Sequence, residues 1–181
     1  MPSTRRGKHP LALKDTYFYL PTDKSDRLPA FYRRAGDTLE LVRAHGVDVP
    51  RSTYFNGGGG VAASPSDILR FAQIFLHDGT VGGVRILRPE TVRLMMSDQL
   101  GERAPQDGSG LSWGIGAAVP QGTGAASPQQ YGWVGGNYAV LWVDRGAQLV
   151  AYVAFPLLPP GDGALLNDFR RLVQAAIPQP E

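Results

Sequence analysis

The chain has 181 residues, enough for one domain with a hydrophobic core, and its hydrophobic fraction of 43% and charged fraction of 19% are typical of globular proteins. Its 18 lysines and arginines against 16 aspartates and glutamates give a net charge of +2, too small to favour nucleic acid or an anionic membrane as a partner. There is no cysteine and the three histidines are widely separated, so neither a disulfide nor a metal site is expected, and no cofactor motif is found.

Residues 1–10 are polar and basic and are predicted to form a flexible arm ahead of a domain spanning residues 11–181. No apolar segment follows the basic start, so the sequence as written contains no secretory signal, which indicates either a cytoplasmic chain or a missing front end. No apolar run approaches the length of about 18 residues needed for a membrane-spanning helix. Further on, short apolar runs predict a strand over Tyr17–Leu20 and a short helix over Thr38–Ala44.

A helix over residues 64–78 has the clearest local signals. Ser64 is a good N-cap, Pro65 suits the first helical position, and Asp67 completes a capping box. Gly79 is placed to end the helix in the left-handed conformation. One apolar stripe with helical spacing is predicted to face the core, and it consists of Ile68, Phe71, Ala72, Phe75 and Leu76.

The segments after this helix alternate between regular structure and glycine-rich loops. Val84–Leu87 predicts a short strand, and Pro89 begins a second helix with Val92, Met95 and Met96 facing inward. Residues 97–110 and 120–130 predict loops, with a single strand over Leu111–Val119 between them.

The last third of the chain predicts a sheet followed by a helix. Strands are expected over Tyr131–Trp133, Tyr138–Asp144 and Gln148–Phe155, the last two joined by a turn in which Gly146 is able to take a positive φ. The nearly continuous apolar run of the last strand indicates burial on both faces. The final helix, residues 164–176, should pack on this sheet through its apolar stripe, which consists of Leu165, Leu166, Phe169, Leu172, Val173 and Ala176.

No serine has the partner that would make it a nucleophile. A helical Ser-x-x-Lys pair places an amine one turn from the hydroxyl, and no serine of this sequence has lysine three residues later. Ser112 lies within Gly110–Gly114, a G-x-S-x-G pentapeptide, but an α/β-hydrolase elbow needs a following helix and a later histidine. The glycine-rich residues after Ser112 disfavour a helix, and the last histidine is His77. No catalytic residue is therefore assigned.

The run Phe55–Met96, with its glycine turn, capped helix, glycine loop and second helix, resembles the C-terminal half of serine β-lactamase-related hydrolases, including class C β-lactamases, D-alanyl-D-alanine peptidases and related esterases. The resemblance extends over about residues 11–177. It implies an α+β fold, an antiparallel sheet flanked by helices as in β-lactamases and transpeptidases. That fold would be incomplete here, because the first strands and the nucleophile helix have no counterpart in the sequence.

The resemblance also implies a substrate-binding strand. Tyr131–Gly136 stands where the family carries a Lys-Thr-Gly, Trp-x-Gly or His-x-Gly triplet, which places substrate-binding residues at Trp133, Val134 and Gly135. In the family this strand binds the acyl group by main-chain hydrogen bonds and supplies part of an oxyanion hole. Val134 replaces the usual small or hydroxyl residue.

Two hypotheses of different classes follow. The first is a serine hydrolase of the β-lactamase-related kind, whose family cleaves esters, β-lactams or peptidoglycan peptides through an acyl-enzyme, here without its nucleophile and inactive alone. The second is a non-catalytic binding or interaction module on the same scaffold. An unpaired sheet edge would favour self-association or a protein partner. Members of the family often act in the periplasm or outside the cell, so the resemblance leaves the location open.

Overall fold

The structure is a computed structural model that describes residues 10–44, 55, 57–58, 60–124, 129–135, 139–158 and 164–177. Nearly all of the predicted basic arm, residues 1–9, therefore lies outside the described part of the chain. The chain divides into two compact units. The first consists of Met1–Thr16, Ala63–Trp133 and Val140–Tyr152, and the second of Tyr17–Ala62, Val134–Ala139 and Val153–Glu181.

A five-stranded sheet contributes most of the strands of the first unit. With strands numbered along the whole chain, its members are β7 (Leu111–Trp113), β8 (Ala118–Pro120), β9 (Gln130–Val134), β10 (Ala139–Asp144) and β11 (Leu149–Ala154). Their spatial order is β11-β10-β9-β8-β7, and antiparallel ladders join β7 to β8 and β8 to β9. The order follows the chain because each strand pairs with the next.

Three details of this sheet differ from the sequence prediction. The single strand expected over Leu111–Val119 is wrong, because the chain reverses between β7 and β8 through Gly114 and Gly116, the latter with φ of 90°. The positive φ expected at Gly146 occurs instead at Gln148, at 50°. The strand β11 is an outer strand, and of its residues only Ala151 is fully buried, so the predicted burial of both faces is also wrong.

The predicted capped helix is confirmed as α1 (Pro65–Leu76). The Ser64 hydroxyl accepts the Asp67 N–H at 3.3 Å, which satisfies one of the unpaired donors at the helix start. The C-cap is His77, and the left-handed C′ position predicted for Gly79 is taken by Asp78, with φ of 48°. Gly79 follows it with φ of 86° and donates its N–H to the Ile74 carbonyl at 2.7 Å. Phe71 differs from the expected stripe, since 41% of it is exposed, while Ile74 is buried in its place.

The remaining elements of the first unit enclose the core with α1. A hairpin of β5 (Thr80–Val81) and β6 (Val84–Arg85) leads to α2 (Pro89–Met95). This confirms the predicted short strand and the second helix, where Val92 and the C-capping Met96 are fully buried. The core cluster contains Leu11, Ala72, Ile74, Phe75, Val81, Val92, Met96, Ala117, Val119, Tyr131 and Val143.

The second unit contains a three-stranded sheet. The helix predicted over Thr38–Ala44 is wrong, because those residues form the strand β3 (Thr38–Arg43), paired antiparallel with β2 (Phe31–Ala35). Gly36, with φ of 61°, makes the tight connection, and Arg33 pairs with Glu40 across the strands at 2.6 Å. The third strand, β12 (Leu157–Leu158), pairs parallel with β2, so the spatial order is β12-β2-β3.

The final helix is confirmed as α3 (Ala164–Ala176), also in the second unit. Only Leu166 of its apolar stripe is buried, whereas Leu165 and Leu172 are about half exposed. On the outer strand β3, Leu39, Leu41 and Val42 are likewise exposed. Association with a second copy or a protein partner through a sheet edge stays a prediction. The other elements are β1 (Thr16–Tyr17), β4 (Ala62–Ala63) and two 3-10 turns, Thr22–Arg27 and Gly101–Arg103.

Candidate functional site

The strand β9 carries the residues that the sequence assigns to substrate binding, and its base is firmly held. Tyr131 is 5% exposed and its ring lies 4.4 Å from that of Phe75 on α1, measured between centroids. Its hydroxyl donates to the Ile115 carbonyl at 2.6 Å, in the turn between β7 and β8. Burial raises the pKa of Tyr131 from 10.0 to about 12, so the phenol remains a hydrogen-bond donor at neutral pH. This one side chain therefore joins the strand to a helix and a turn.

The backbone of β9 presents its polar groups alternately to its two sides. Gly135 N–H donates to the Ala139 carbonyl at 2.8 Å, and Arg145 N–H donates to the Gln129 carbonyl at 2.8 Å at the other end of the same hairpin. Both bonds fit one antiparallel register, in which every second residue of β9 is hydrogen-bonded to β10. Val134 lies between two such residues, so its N–H and C=O point away from β10. Gly135 N–H is used within the hairpin, so among Trp133, Val134 and Gly135 it is Val134 whose peptide groups are directed elsewhere.

The ladder on the other side of β9 is short. Within the described residues, β8 and β9 pair only at Ala118 and Gly132, and β8 begins at Ala118. The glycine that permits close backbone approach within this sheet is Gly132, where a Cβ would collide with the carbonyl of Leu141 on β10. The sequence did not identify this requirement at Gly132.

Two tryptophans meet beside this strand end. The rings of Trp113 on β7 and Trp133 on β9 lie 4.9 Å apart between centroids, inclined at 52°. Trp113 is 37% exposed and Trp133 is 45% exposed, so each retains free indole surface. The side chain of Val134 is also 45% exposed. Of the three predicted binding residues, the structure thus places two with exposed apolar side chains at the end of β9.

Ser112 lies in a strand, and its hydroxyl is already hydrogen-bonded. It is 1% exposed within β7, and its hydroxyl donates to the Asp98 carboxylate. A strand, rather than the strand–turn–helix of a nucleophile elbow, carries it, as expected from the sequence. The three lysines of the sequence are Lys8, Lys14 and Lys24. No lysine therefore occurs on any of the strands β7 to β11.

Asp98 is a structural centre that the sequence did not reveal. Besides Ser112, its carboxylate accepts backbone N–H bonds from Leu100 at 2.9 Å, Gly101 at 3.0 Å and Gly122 at 3.0 Å. The hydrogen bond from Ser112, followed by those from Gly122 and Gly101, holds the pKa of Asp98 well below its ordinary value of 3.8. An aspartate whose carboxylate accepts the N–H groups two and three residues later is a known turn signal. That signal could have indicated the bonds from Leu100 and Gly101, but not those from Ser112 and Gly122.

We expect the Asp98 carboxylate to make the folded state sensitive to acid. Because the pKa of Asp98 is lower in the folded state, the ionised carboxylate stabilises the fold fully above pH 3.8. This stabilisation is lost as the pH falls towards the pKa of the folded state. Asp98→Asn should therefore lower the Tm at neutral pH and flatten its fall on acidification. Thermal unfolding from about pH 2 to pH 7 measures this. Asp168→Asn, at an exposed ion pair on α3, is the control, and parallel pH profiles for wild type and Asp98→Asn would contradict the role.

Comparison with known proteins decides the family. The sequence profile of the Beta-lactamase family matches residues 8–175. The chain belongs to the β-lactamase family. The fold predicted from the resemblance, an α+β arrangement of antiparallel sheet and helices, is confirmed for this family member.

Solved structures extend this β-lactamase assignment. The hydrolase EstCE1, which has promiscuous acyltransferase activity, is 26% identical with a TM-score of 0.67, over 85% of this chain and 44% of that one. Simvastatin synthase LovD from Aspergillus terreus, as the LovD6 mutant, is 22% identical with a TM-score of 0.70, over 93% of this chain and 46% of that one. The similarity to LovD, at 22% identity, shows only that the fold is shared. The β-lactamase-family chain described here therefore spans less than half of either structure.

Curated relatives are matched over a shorter stretch. Two Mycobacterium tuberculosis proteins, Protein Rv1367c and Uncharacterized protein MT1414, are each 40% identical over 94 residues, which is 50% of this chain and 23% of theirs. The chain thus aligns with under a quarter of the length of these relatives. Among the described residues, no group of three or more His, Asp or Glu is placed to hold a metal ion, and no helix there could cross a membrane.

Proposed function

We propose that this chain provides the acyl-binding strand of a β-lactamase-related serine hydrolase and that, alone, it binds an acyl compound without being acylated by it. Membership of the β-lactamase family supports the reaction class, which is hydrolysis of an ester, a β-lactam or a peptide through an acyl-enzyme. The likeness to EstCE1, at 26% identity, favours acyl chemistry on an ester or amide carbonyl.

The observation that carries this proposal is the direction of the Val134 peptide. Its N–H and C=O point away from β10, because the neighbouring Gly135 N–H is the group bonded to Ala139. A substrate carbonyl can accept from the Val134 N–H, which then acts as one donor to the developing oxyanion. Such a main-chain donor needs no particular side chain, so the valine in place of a hydroxyl residue does not prevent it.

The lack of an activated serine supports the second half of the proposal. An acyl-enzyme requires a hydroxyl whose proton is removed by a neighbouring base. No Ser-x-x-Lys occurs in the 181 residues, and the Ser112 hydroxyl is buried and donates to Asp98. Turnover would need a nucleophile that these residues do not contain.

A fluorescent penicillin and a fluorophosphonate test the absence of acylation. We expect neither reagent to leave a covalent label on the native chain, because no serine in the sequence has a lysine three residues later. Intact-mass spectrometry after incubation measures this, with a heat-unfolded sample as the control for non-specific reaction. Stoichiometric labelling that disappears in Ser112→Ala would contradict the proposal.

Titration of the ¹⁵N-labelled chain with ethyl butyrate tests the acyl-binding half directly. We expect a saturable chemical-shift change at the Val134 amide and a smaller one at Gly135, whose N–H is already bonded within the hairpin. Diethyl ether, which has no carbonyl group, is the matched control ligand and should leave Val134 unshifted. Equal shifts with both compounds, or none with ethyl butyrate, would refute acyl binding at this strand.

A further inference from the structure

The Trp113–Trp133 pair leaves a large aromatic surface uncovered. Large aromatic side chains contribute strongly to stability when they are buried. The ring centroids of these two lie 4.9 Å apart, yet 37% of Trp113 and 45% of Trp133 remain exposed. Leu111, on the same strand as Trp113, and Ile115, in the following turn, are each 45% exposed. Exposed apolar groups that cluster in this way are typical of ligand or partner sites.

The backbone under the pair is fixed, which favours a preformed site over a mobile one. Gln99 N–H donates to the Trp113 carbonyl at 2.8 Å, and Ser112, the preceding residue, donates to Asp98. On the other strand, buried Tyr131 lies two residues before Trp133. The backbone that carries the two indoles therefore needs little ordering when a ligand covers them.

The charge pattern restricts what the pair can bind. No Asp, Glu, Lys, Arg or His occurs from Gly108 to Val143, a stretch that includes β7, β8 and β9. No cationic side chain of these strands can therefore pair with a ligand carboxylate. An uncharged ligand needs no such partner.

We propose that Trp113 and Trp133 form an aromatic subsite that selects uncharged, apolar esters over acyl compounds that carry a carboxylate. This rests on the proposed function, because the carbonyl of such an ester would be held by Val134, the residue that follows Trp133. The pair covers the apolar acyl or aryl group, while the main chain of β9 binds the polar centre. β-Lactams and D-alanyl peptides, which carry a carboxylate, are then disfavoured substrates.

The test compares phenyl butyrate with 4-(butyryloxy)benzoate, which differs from it by one carboxylate. The protein is Trp142→Phe, so that Trp113 and Trp133 are the only sources of tryptophan fluorescence among the three tryptophans of the chain. We expect saturable quenching by phenyl butyrate and a Kd at least about tenfold higher for the carboxylate. Equal affinities for the two compounds, or no saturable binding of phenyl butyrate, would overturn the proposal.

Substitutions locate the subsite. Trp113→Leu and Trp133→Leu should each weaken phenyl butyrate binding about tenfold or more, whereas Trp113→Phe should retain most of it because a ring remains. Leu172→Ala removes an exposed apolar group on α3, outside this apolar cluster, and should change the Kd less than about twofold. If the leucine variants at positions 113 and 133 bind as tightly as their parent, or if Leu172→Ala is as damaging as either, the assignment is wrong.

Three NMR signals separate failure of this inference from failure of the proposed function. During the phenyl butyrate titration, the indole N–H signals of Trp113 and Trp133 report the aromatic subsite, and the Val134 amide reports the carbonyl. Indole shifts without a Val134 shift support the subsite and refute acyl binding by the strand. A Val134 shift with unchanged indole signals supports acyl binding and refutes the subsite.

Discussion

Gly79→Ala should lower the free energy of unfolding by about 2–5 kcal/mol. Gly79 has φ of 86°, a conformation that alanine adopts only with strain. The added Cβ would also collide with the Leu87 carbonyl, which is backbone and cannot rotate aside. The collision cannot be relieved by a small shift, because Gly79 N–H bonds to Ile74 and its carbonyl accepts from Ile86 and Leu87.

Gly83→Ala is the matched control for this prediction. Gly83 has a similar φ of 79°, but nothing lies within 4 Å of the place that an added methyl group would occupy. Only the conformational strain of about 1–2 kcal/mol therefore remains. Urea unfolding followed by circular dichroism measures both variants. Equal losses of stability would show that the contact with Leu87 contributes nothing and that the glycine is required for its φ alone.

Asp67→Ala is expected to cost about 2–4 kcal/mol, because the change leaves partly buried donors without an acceptor. Asp67 is 7% exposed, and its carboxylate does not close the capping box predicted from the sequence. It accepts instead from Asp15 N–H at 2.7 Å, from Thr16 hydroxyl at 2.7 Å and from Lys14 N–H at 3.3 Å. The Ser64 N–H, the usual target of a capping box, donates to the Asp15 carbonyl at 2.9 Å.

A double-mutant cycle with Thr16→Val makes this prediction specific. Thr16→Val alone should cost about 1 kcal/mol, since it removes one of the three donors. In the Asp67→Ala background the same change should cost much less, because its acceptor is already gone. Additive losses, measured by urea unfolding, would show that Asp67 stabilises the helix and not the segment ahead of it.

The parts of the fold that could be predicted are those whose signals are local. The cap at Ser64, the end of α1 within a few residues before Gly79 and the limits of α3 depend on side chains and glycines within one helical turn. The hairpin of β2 and β3 could not be predicted in this way, because its stability comes from cross-strand pairing, which no local period reveals. The use of Asp67 depends on a segment 51 to 53 residues away and could not be seen in its surroundings.

The candidate site shows the same division. The resemblance pointed to Trp133, Val134 and Gly135, and the sequence correctly denied a nucleophile elbow to Ser112. It could not indicate that Trp113 meets Trp133, because about 20 residues separate them and the contact requires β8 to lie between their strands. It also could not show which peptide of the triplet points away from β10, since that depends on the register with Ala139.

The bonds from α1 to residues 11–16 have a consequence for how this domain can be recombined. Asp67 binds the backbone of Lys14 and Asp15, and Arg70 donates to the Leu11 carbonyl. A chimaera that takes α1 from one parent and residues 11–16 from another would risk leaving a buried acid without its donors. Crossover points after α1 take residues 11–16 and α1 from the same parent and should yield expressible hybrids. Crossover points within residues 17–61 separate the two segments. They should yield expressible hybrids only when the second parent supplies an acid and an arginine that match residues 11–16.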